Sequence, residues 1–448
     1  MNYFPIALSD VLFYRLRRKS LRNREQRLVI LYRHFLRAFQ QSTSADQTLS
    51  LIFRGLVRTG NESLKALPDA WWPEFFRYVT STNPDGGESS EQVLLEIAET
   101  LNSELLEADR WLDLYRICLF SGLFRLGLQV RYKAEGAIKR EASSKLGGIR
   151  SQCLALAVSL ESGETEEATA ALERLARLKL SEYKLAQGFW LRDLLCSRTK
   201  TTLVEAYPGQ SPLEHHAELS MLDAAKGCSI AMVGPVASSV EAGPEIDGFN
   251  LVAKFNYRGG EQGCDPLTQG RRIDISYYNI DQAKYIAQHS DAGFPANLRF
   301  PVFIKAKGFR AVKKVTSEGR IVRNAQWLLL DSEFHAGTNA LVDLFRFEPK
   351  KVKVFNSDLM LTAGRYQGYW RPGTKPVNYC FSFSKTHDPF MQFNYLKRLW
   401  ASGLIEGDAR FGAIMENGLE AYVKDLQRAH GESGRQVLAG NEGLPGAL

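Results

Sequence analysis

Residues 229–256 read SIAMVGPVASSVEAGPEIDGFNLVAKFN. Two short apolar runs, 229–233 and 251–256, bracket a segment of Gly, Pro, Ser and Glu. Apolar runs of this length, bounded by turn residues, fit buried strands, and Gly234-Pro235 ends the first in a tight turn. Ligands of open α/β sheets bind outside the carboxyl ends of strands, where glycine lets the backbone approach a phosphate. No Gly-Lys-Ser/Thr follows, so this is not a P-loop, and the GxGxxG spacing of a dinucleotide fold is absent. The residues alone mark either a generic nucleotide site or a plain strand-turn in an α/β core.

Outward from this stretch, strand-like runs recur at 273–278, 327–330 and 352–355, with helical patterns at 281–288, 337–346 and 390–401. The alternation predicts an α/β, Rossmann-like domain with a mostly parallel sheet over residues 220–430. Residues 1–215 have another texture, rich in Leu, Ala, Arg and Glu at helical spacing. Leu154, Leu156, Val158 and Leu160, then Ala168, Leu172, Leu175 and Leu178, are examples. Gly60-Asn61 and Ser162-Gly163 punctuate them. This predicts an all-α domain without a fixed repeat, its apolar stripes available to pack on the α/β half. Pro208-Gly209 and Pro212 suit a connection between the halves, and 431–448 reads as a flexible tail.

The chain has 448 residues, 44% hydrophobic and 24% charged, which fits a soluble globular protein of two or three domains. A net charge of +7 favours anionic partners but is too diffuse to argue for nucleic acid. Six cysteines, at 118, 153, 196, 228, 264 and 380, form no CxxC pair and read as free thiols of a reducing compartment. The N-terminus lacks a secretory pattern. The most apolar window, from Trp111 to Val130, is interrupted by Asp113, Arg116 and Arg125, so it reads as a soluble helix. A basic opening (Arg15, Arg17, Arg18, Lys19, Arg22, Arg24, Arg27) fits either an anionic membrane face or, more commonly, a solvated helix face. The expectation is a cytoplasmic protein, with the inner face of the plasma membrane as its contact surface on the first of those two readings.

Two further constellations carry chemistry. His335-Ala336-Gly337-Thr338-Asn339 opens a helix whose first amides suit a phosphate, and Thr338 or Asn339 equally suits simple N-capping. Thr386-His387-Asp388-Pro389 opens a late helix and offers an imidazole able to take a proton at neutral pH, or a cap.

The run VGPVASSVEAGPEIDGFNLVAKFNYRG (233–259), followed by GRRIDISYYN (270–279), resembles the large motif of the sialyltransferases. His335–Ala340 with 351–355 resembles their small motif, and His387 with the following helix resembles their very short motif. The resemblance covers about 200 residues. It implies a sialyltransferase-like fold of the GT-A variant type and an inverting, metal-independent glycosyltransferase. The donor would be a CMP-activated acidic sugar, sialic-acid-like or Kdo. The acceptor would be a glycan, glycolipid or glycoprotein. No resident cofactor or metal is implied, and no Asp-x-Asp pair occurs in the chain. It assigns His387 as catalytic base and Gly234, Pro235, Asn256, Gly337, Thr338 and Asn339 as CMP contacts. Lys254, Arg258 and His335 are candidate anion contacts. Three positions depart from the family: Pro235 replaces Asn or Ser, Lys254 replaces Arg, and Gln392 replaces Glu. Tyr366, Tyr369 and Trp370 stand in the stretch where the family carries a His followed by Tyr. A binding or scaffold protein with an altered transferase domain is the alternative expectation.

Overall fold

Seven strands form one sheet: β1 (Ser229–Val233), β2 (Leu251–Phe255), β3 (Ile275–Tyr278), β4 (Phe300–Phe303), β5 (Arg320–Ile321), β6 (Lys351–Phe355) and β7 (Ile405–Gly407). Their order is β5-β4-β3-β2-β1-β6-β7, and every neighbouring pair is parallel. The structure is a computed structural model that describes residues 8–81, 84–144, 147–196, 203–206, 212–259, 265–289, 298–316, 318–362, 364–371, 373–374 and 377–440. The expected connection at Pro208-Gly209 and Cys264 lie outside them. The five described cysteines are free.

Parallel strands are covered on both faces, so they must be apolar almost throughout. Ile230, Ala231, Met232 and Val233 of β1 and Val352, Val354 and Phe355 of β6 are all buried. The chain adds β2 to β5 on one side of β1, then returns to lay β6 and β7 on the other. The direction of winding therefore reverses between β1 and β6, the position at which open α/β sheets commonly hold their ligands.

Four of the five expected strands form to within two residues. The fifth, 327–330, does not: Gln326–Leu328 is a 3-10 turn. Trp327 is fully buried, and its indole Nε1 donates to Gln187 Oε1 at 2.8 Å in the helical half. A short apolar run cannot tell a strand from a buried turn by periodicity alone. The expected helices at 281–288, 337–346 and 390–401 appear as Ile280–His289, Ala336–Phe345 and Pro389–Ala401.

The N-terminal half is helical. The helices needed below are α1 (Leu8–Gln41), α2 (Ala45–Arg58), α3 (Ala108–Phe120), α4 (Phe124–Ser143), α5 (Ile149–Ser162) and α6 (Glu182–Leu195). On the sheet side they are α7 (Ala336–Phe345), α8 (Tyr379–Lys385), α9 (Pro389–Ala401) and α10 (Ala409–Ala439). One hydrophobic core runs through both halves, from Leu28 and Trp111 to Val352, Phe383 and Leu426. Among the described residues no helix is long and apolar enough to cross a membrane.

Within the tail expected at 431–448, residues 431–439 are helical. α10 bends at Gly418 (φ 82°) and continues to Ala439, with Gly431, Gly434, Val437 and Leu438 buried. Small residues permit this: a Cβ on Gly434 would lie 2.5 Å from Gly122 N, and one on Gly122 only 2.1 Å from Gly431 O. A side chain there must push two backbones apart. Gly434→Val is therefore expected to lower stability by about 3 kcal/mol, read from denaturant unfolding; parental stability would show that 431–439 does not pack on the helical half.

Candidate functional site

The winding reversal falls at Gly234. Its N–H donates to Phe355 O at 2.7 Å, and Val236 N donates to Asn356 O at 3.1 Å, stitching the loops after β1 and β6 together. A Cβ on Gly234 would lie 2.3 Å from Asn356 O, so only glycine allows this closeness. Pro235 O accepts from Tyr366 N at 3.0 Å, which ties the segment after β6 to the turn after β1.

β2 and β6 end alike, in Phe255-Asn256 and Phe355-Asn356. Both asparagines are left-handed, with φ of 57° and 52°. Asn tolerates that conformation better than most residues. Asn256 Nδ2 donates to the Tyr369 hydroxyl at 2.9 Å, and Asn356 Nδ2 to Thr268 O at 3.0 Å. Asn356 escaped the sequence reading, although the repeated Phe-Asn pair was a usable signal.

Cations gather at this edge of the sheet. The Arg258 guanidinium donates to Gly368 O and lies 5.9 Å from the Tyr285 ring. Arg365 donates to the Tyr379 hydroxyl at 2.6 Å, and its charge reaches both Tyr369 and His335. Lys305, two residues beyond β4, pairs with Glu333. Lys254 turns aside and donates to Gly270 O at 2.7 Å.

α7 runs back from this edge toward the start of β6, so its N-terminus lies at the carboxyl end of the sheet. His335 is its N-cap residue, without a side-chain capping bond, so neither Thr338 nor Asn339 is the cap. Gly337 faces open space, with no atom within 4 Å of where a Cβ would stand. Thr338 is buried. Asn339 does not join them: it lines a cavity of about 10 Å³ with Gln187, Arg323 and Asp343, on the side of the helical half.

The His335 and His387 rings stack, with centroids 4.1 Å apart and planes 23° from parallel. His387 Nδ1 lies 3.0 Å from Glu333 O. A carbonyl only accepts, so Nδ1 carries the proton and Nε2 keeps its lone pair. Gln392 Nε2 donates to the same carbonyl at 3.1 Å, while Gln392 Oε1 accepts from His335 N at 3.2 Å. One side chain thus needs both a donor and an acceptor, which explains Gln rather than Glu. His335 Nε2 is closed off from solvent and has no partner among the described residues.

Two short segments carry these rings, 331–335 and 384–388, and they are sewn to each other. Ser332 Oγ donates to Thr386 O at 2.9 Å, Glu333 N to Thr386 O at 2.9 Å, and Asp388 N to Ser332 Oγ at 2.8 Å. Capping of α9 falls to Asp388, which accepts from Phe390 N and Met391 N, leaving His387 uncommitted to that role. Among the described residues no cluster of three or more His, Cys, Asp or Glu could hold a metal ion.

Burial holds the His335 imidazole well below its ordinary 6.5, and the charges of His387 and Arg365 lower it further. Burial also lowers His387, against the opposing pull of the Glu333 carbonyl and carboxylate. Both rings are therefore neutral at pH 7. The unfolded chain takes up these protons first on acidification. Their contribution to stability is present above about pH 6.5 and is lost as pH falls through the lowered folded values. Imidazole nitrogen resonances are expected to show His387 as the Nδ1–H tautomer, titrating below 6.5; an Nε2–H tautomer would contradict the Glu333 contact, and a raised midpoint would contradict the burial of the ring.

No protein-family model matches this chain, and no curated protein matches it.

Proposed function

We propose that this chain is an inverting, metal-independent glycosyltransferase of the sialyltransferase-like, GT-A variant kind. It moves an acidic 2-keto-3-deoxy sugar, a sialic-acid-like nonulosonate or Kdo, from CMP to a hydroxyl of a glycan, glycolipid or glycoprotein acceptor. The observation that carries this reading is the His387 tautomer: Nδ1 faces the Glu333 carbonyl, which leaves Nε2 with its lone pair, within reach of the charges of Lys305 and Lys385.

Each group has a task in one displacement. The acceptor oxygen attacks the anomeric carbon as its proton passes to His387 Nε2. The bond from that carbon to the phosphate oxygen breaks, and CMP departs with the electron pair. The transition state resembles an oxocarbenium ion, so charge grows on the leaving phosphate. First-turn amides of a helix have no intrahelical partner, so those around Gly337 suit that phosphate. Gly234 and Pro235 would lie on the nucleotide side of the site, and Asn256 would meet the CMP moiety. Arg258 and Arg365 would offset the phosphate and the sugar carboxylate by charge.

Thermal denaturation with CMP, AMP, UMP and GMP, all in EDTA, tests the donor. Ligand that binds the native state alone raises the melting temperature by mass action. CMP alone is expected to do so. His387→Gln is expected to keep that shift while lowering sugar transfer from CMP-Kdo or CMP-sialic acid about 10²–10⁴-fold, the usual worth of a general base. No shift with any nucleotide would favour the scaffold reading, and a shift with another base would place the chain in a different class of nucleotide enzyme.

A further inference from the structure

The α1–α2 hairpin carries a basic face that serves neither the core nor the candidate site. α1 has 34 residues and is about 50 Å long at 1.5 Å per residue. Its inner face (Leu28, Leu31, Tyr32, Phe35) is buried, and α2 lies close enough that a Cβ on Gly55 would stand 2.8 Å from His34 Cβ. On its outer face Arg15, Lys19, Arg22, Arg33 and Arg37 are exposed. At about 100° per residue these five fall within roughly 60° of one another, a single stripe along the rod.

α2 extends the stripe sideways. Leu49, Phe53 and Val57 recur every fourth residue and line a groove of about 580 Å³ with Arg54, Arg58 and Lys65. Val57 is 47% exposed, and Lys65 Nζ lies 5.9 Å from the Phe53 ring. The two helices' charges meet at His34, whose imidazole is lowered by burial and then by Arg58 and Arg37 together. None of these eight cations makes an ion pair among the described residues. Acid is scarce: Asp46 is the groove's one carboxylate, and Glu25 of α1 is held at 2.7 Å by Lys385.

We infer that the α1–α2 face docks on an anionic lipid bilayer, the cations against headgroup phosphates and the Leu49–Phe53–Val57 stripe in the interface. Charge complementarity selects an anionic partner. The cationic stripe reaches well beyond the groove, along most of α1, which suits an extended surface better than one helix seated in the groove. Long basic side chains keep their charge at the headgroups while their stems lie over apolar atoms. This inference is independent of the transferase reading and stands or falls without it.

Sedimentation of the full chain with vesicles tests it. Binding is expected to vesicles of equal parts phosphatidylcholine and phosphatidylglycerol, not to phosphatidylcholine alone, and to fall as salt is raised. Each surface cation contributes about fivefold to partitioning, so the pairs Arg33→Glu with Arg37→Glu and Arg54→Glu with Arg58→Glu should each lower it about twentyfold or more. Phe53→Ser should lower it less. All are exposed or half-buried positions, and melting temperatures verify the fold; Lys19→Glu with Arg22→Glu reports on the same face should one pair fail to fold. Absence of binding to the anionic vesicles overturns the inference, as does binding that the reversals leave unchanged. So does capture of an acidic helical peptide by a chain that ignores the vesicles.

Discussion

Asp388 is the side chain on which the two halves converge. It is 1% exposed, yet it accepts four hydrogen bonds: Phe390 N and Met391 N of α9, the Tyr115 hydroxyl at 2.8 Å and Arg131 Nε at 3.3 Å. Two come from the helix it caps and two from the helical half. A buried carboxylate is tolerated only when it is paired and hydrogen-bonded. Removing one member of such a pair strands a charge and typically costs about 3–5 kcal/mol. Arg131 also meets Glu135 and Glu161, so one guanidinium faces three carboxylates. Burial raises Glu161, against Arg131, which lowers the charge that must be balanced.

A second junction grips the other segment. Arg24 donates to Asp113 at 2.8 Å and also pairs with Asp331, which Arg150 reaches at 2.8 Å. Arg116 spans both segments at once, donating to Ser384 O at 2.9 Å and to Asp331 O. Residues 331–335 and 384–388 are therefore fixed to each other and to α1, α3, α4 and α5. The stacked histidines rest on backbone, notably Glu333 O, and that backbone rests on the helical half. The N-terminal half is part of the wall behind the candidate site.

What was legible in the sequence follows from this division. β1, β2, β3 and β6 announce themselves because parallel strands are apolar on both faces. β4 hides behind Pro301, since proline reads against a strand interior. β5 is two residues long and begins at Arg320, whose charge is satisfied by buried Asp343 at 2.9 Å, a pairing no local pattern displays. His387 stood out as a residue, but the atom that sets its tautomer is a main-chain carbonyl. Arg116 looked like a polar interruption of an apolar window. It is 2% exposed, and carbonyl oxygens from the other half accept from its two terminal nitrogens. Long-range partners of buried charges are the information a linear reading lacks.

The candidate site is consequently assembled from two sources of rigidity. The strand-end side, Gly234 with Asn256 and Asn356, is set by the sheet through main-chain hydrogen bonds and left-handed asparagines. The imidazole side is set by charged side chains from helices more than two hundred residues earlier in the chain, Arg116 with Asp331 and Ser384 among them. Backbone ladders are insensitive to pH, whereas the second set contains ionisable groups pushed from their ordinary values. Perturbing these charged contacts of the helical half thus acts on the backbone that positions His387, by a route distinct from the main-chain bonds at Gly234. In the proposed reaction, that separates the group taking the acceptor proton from the groups holding the nucleotide.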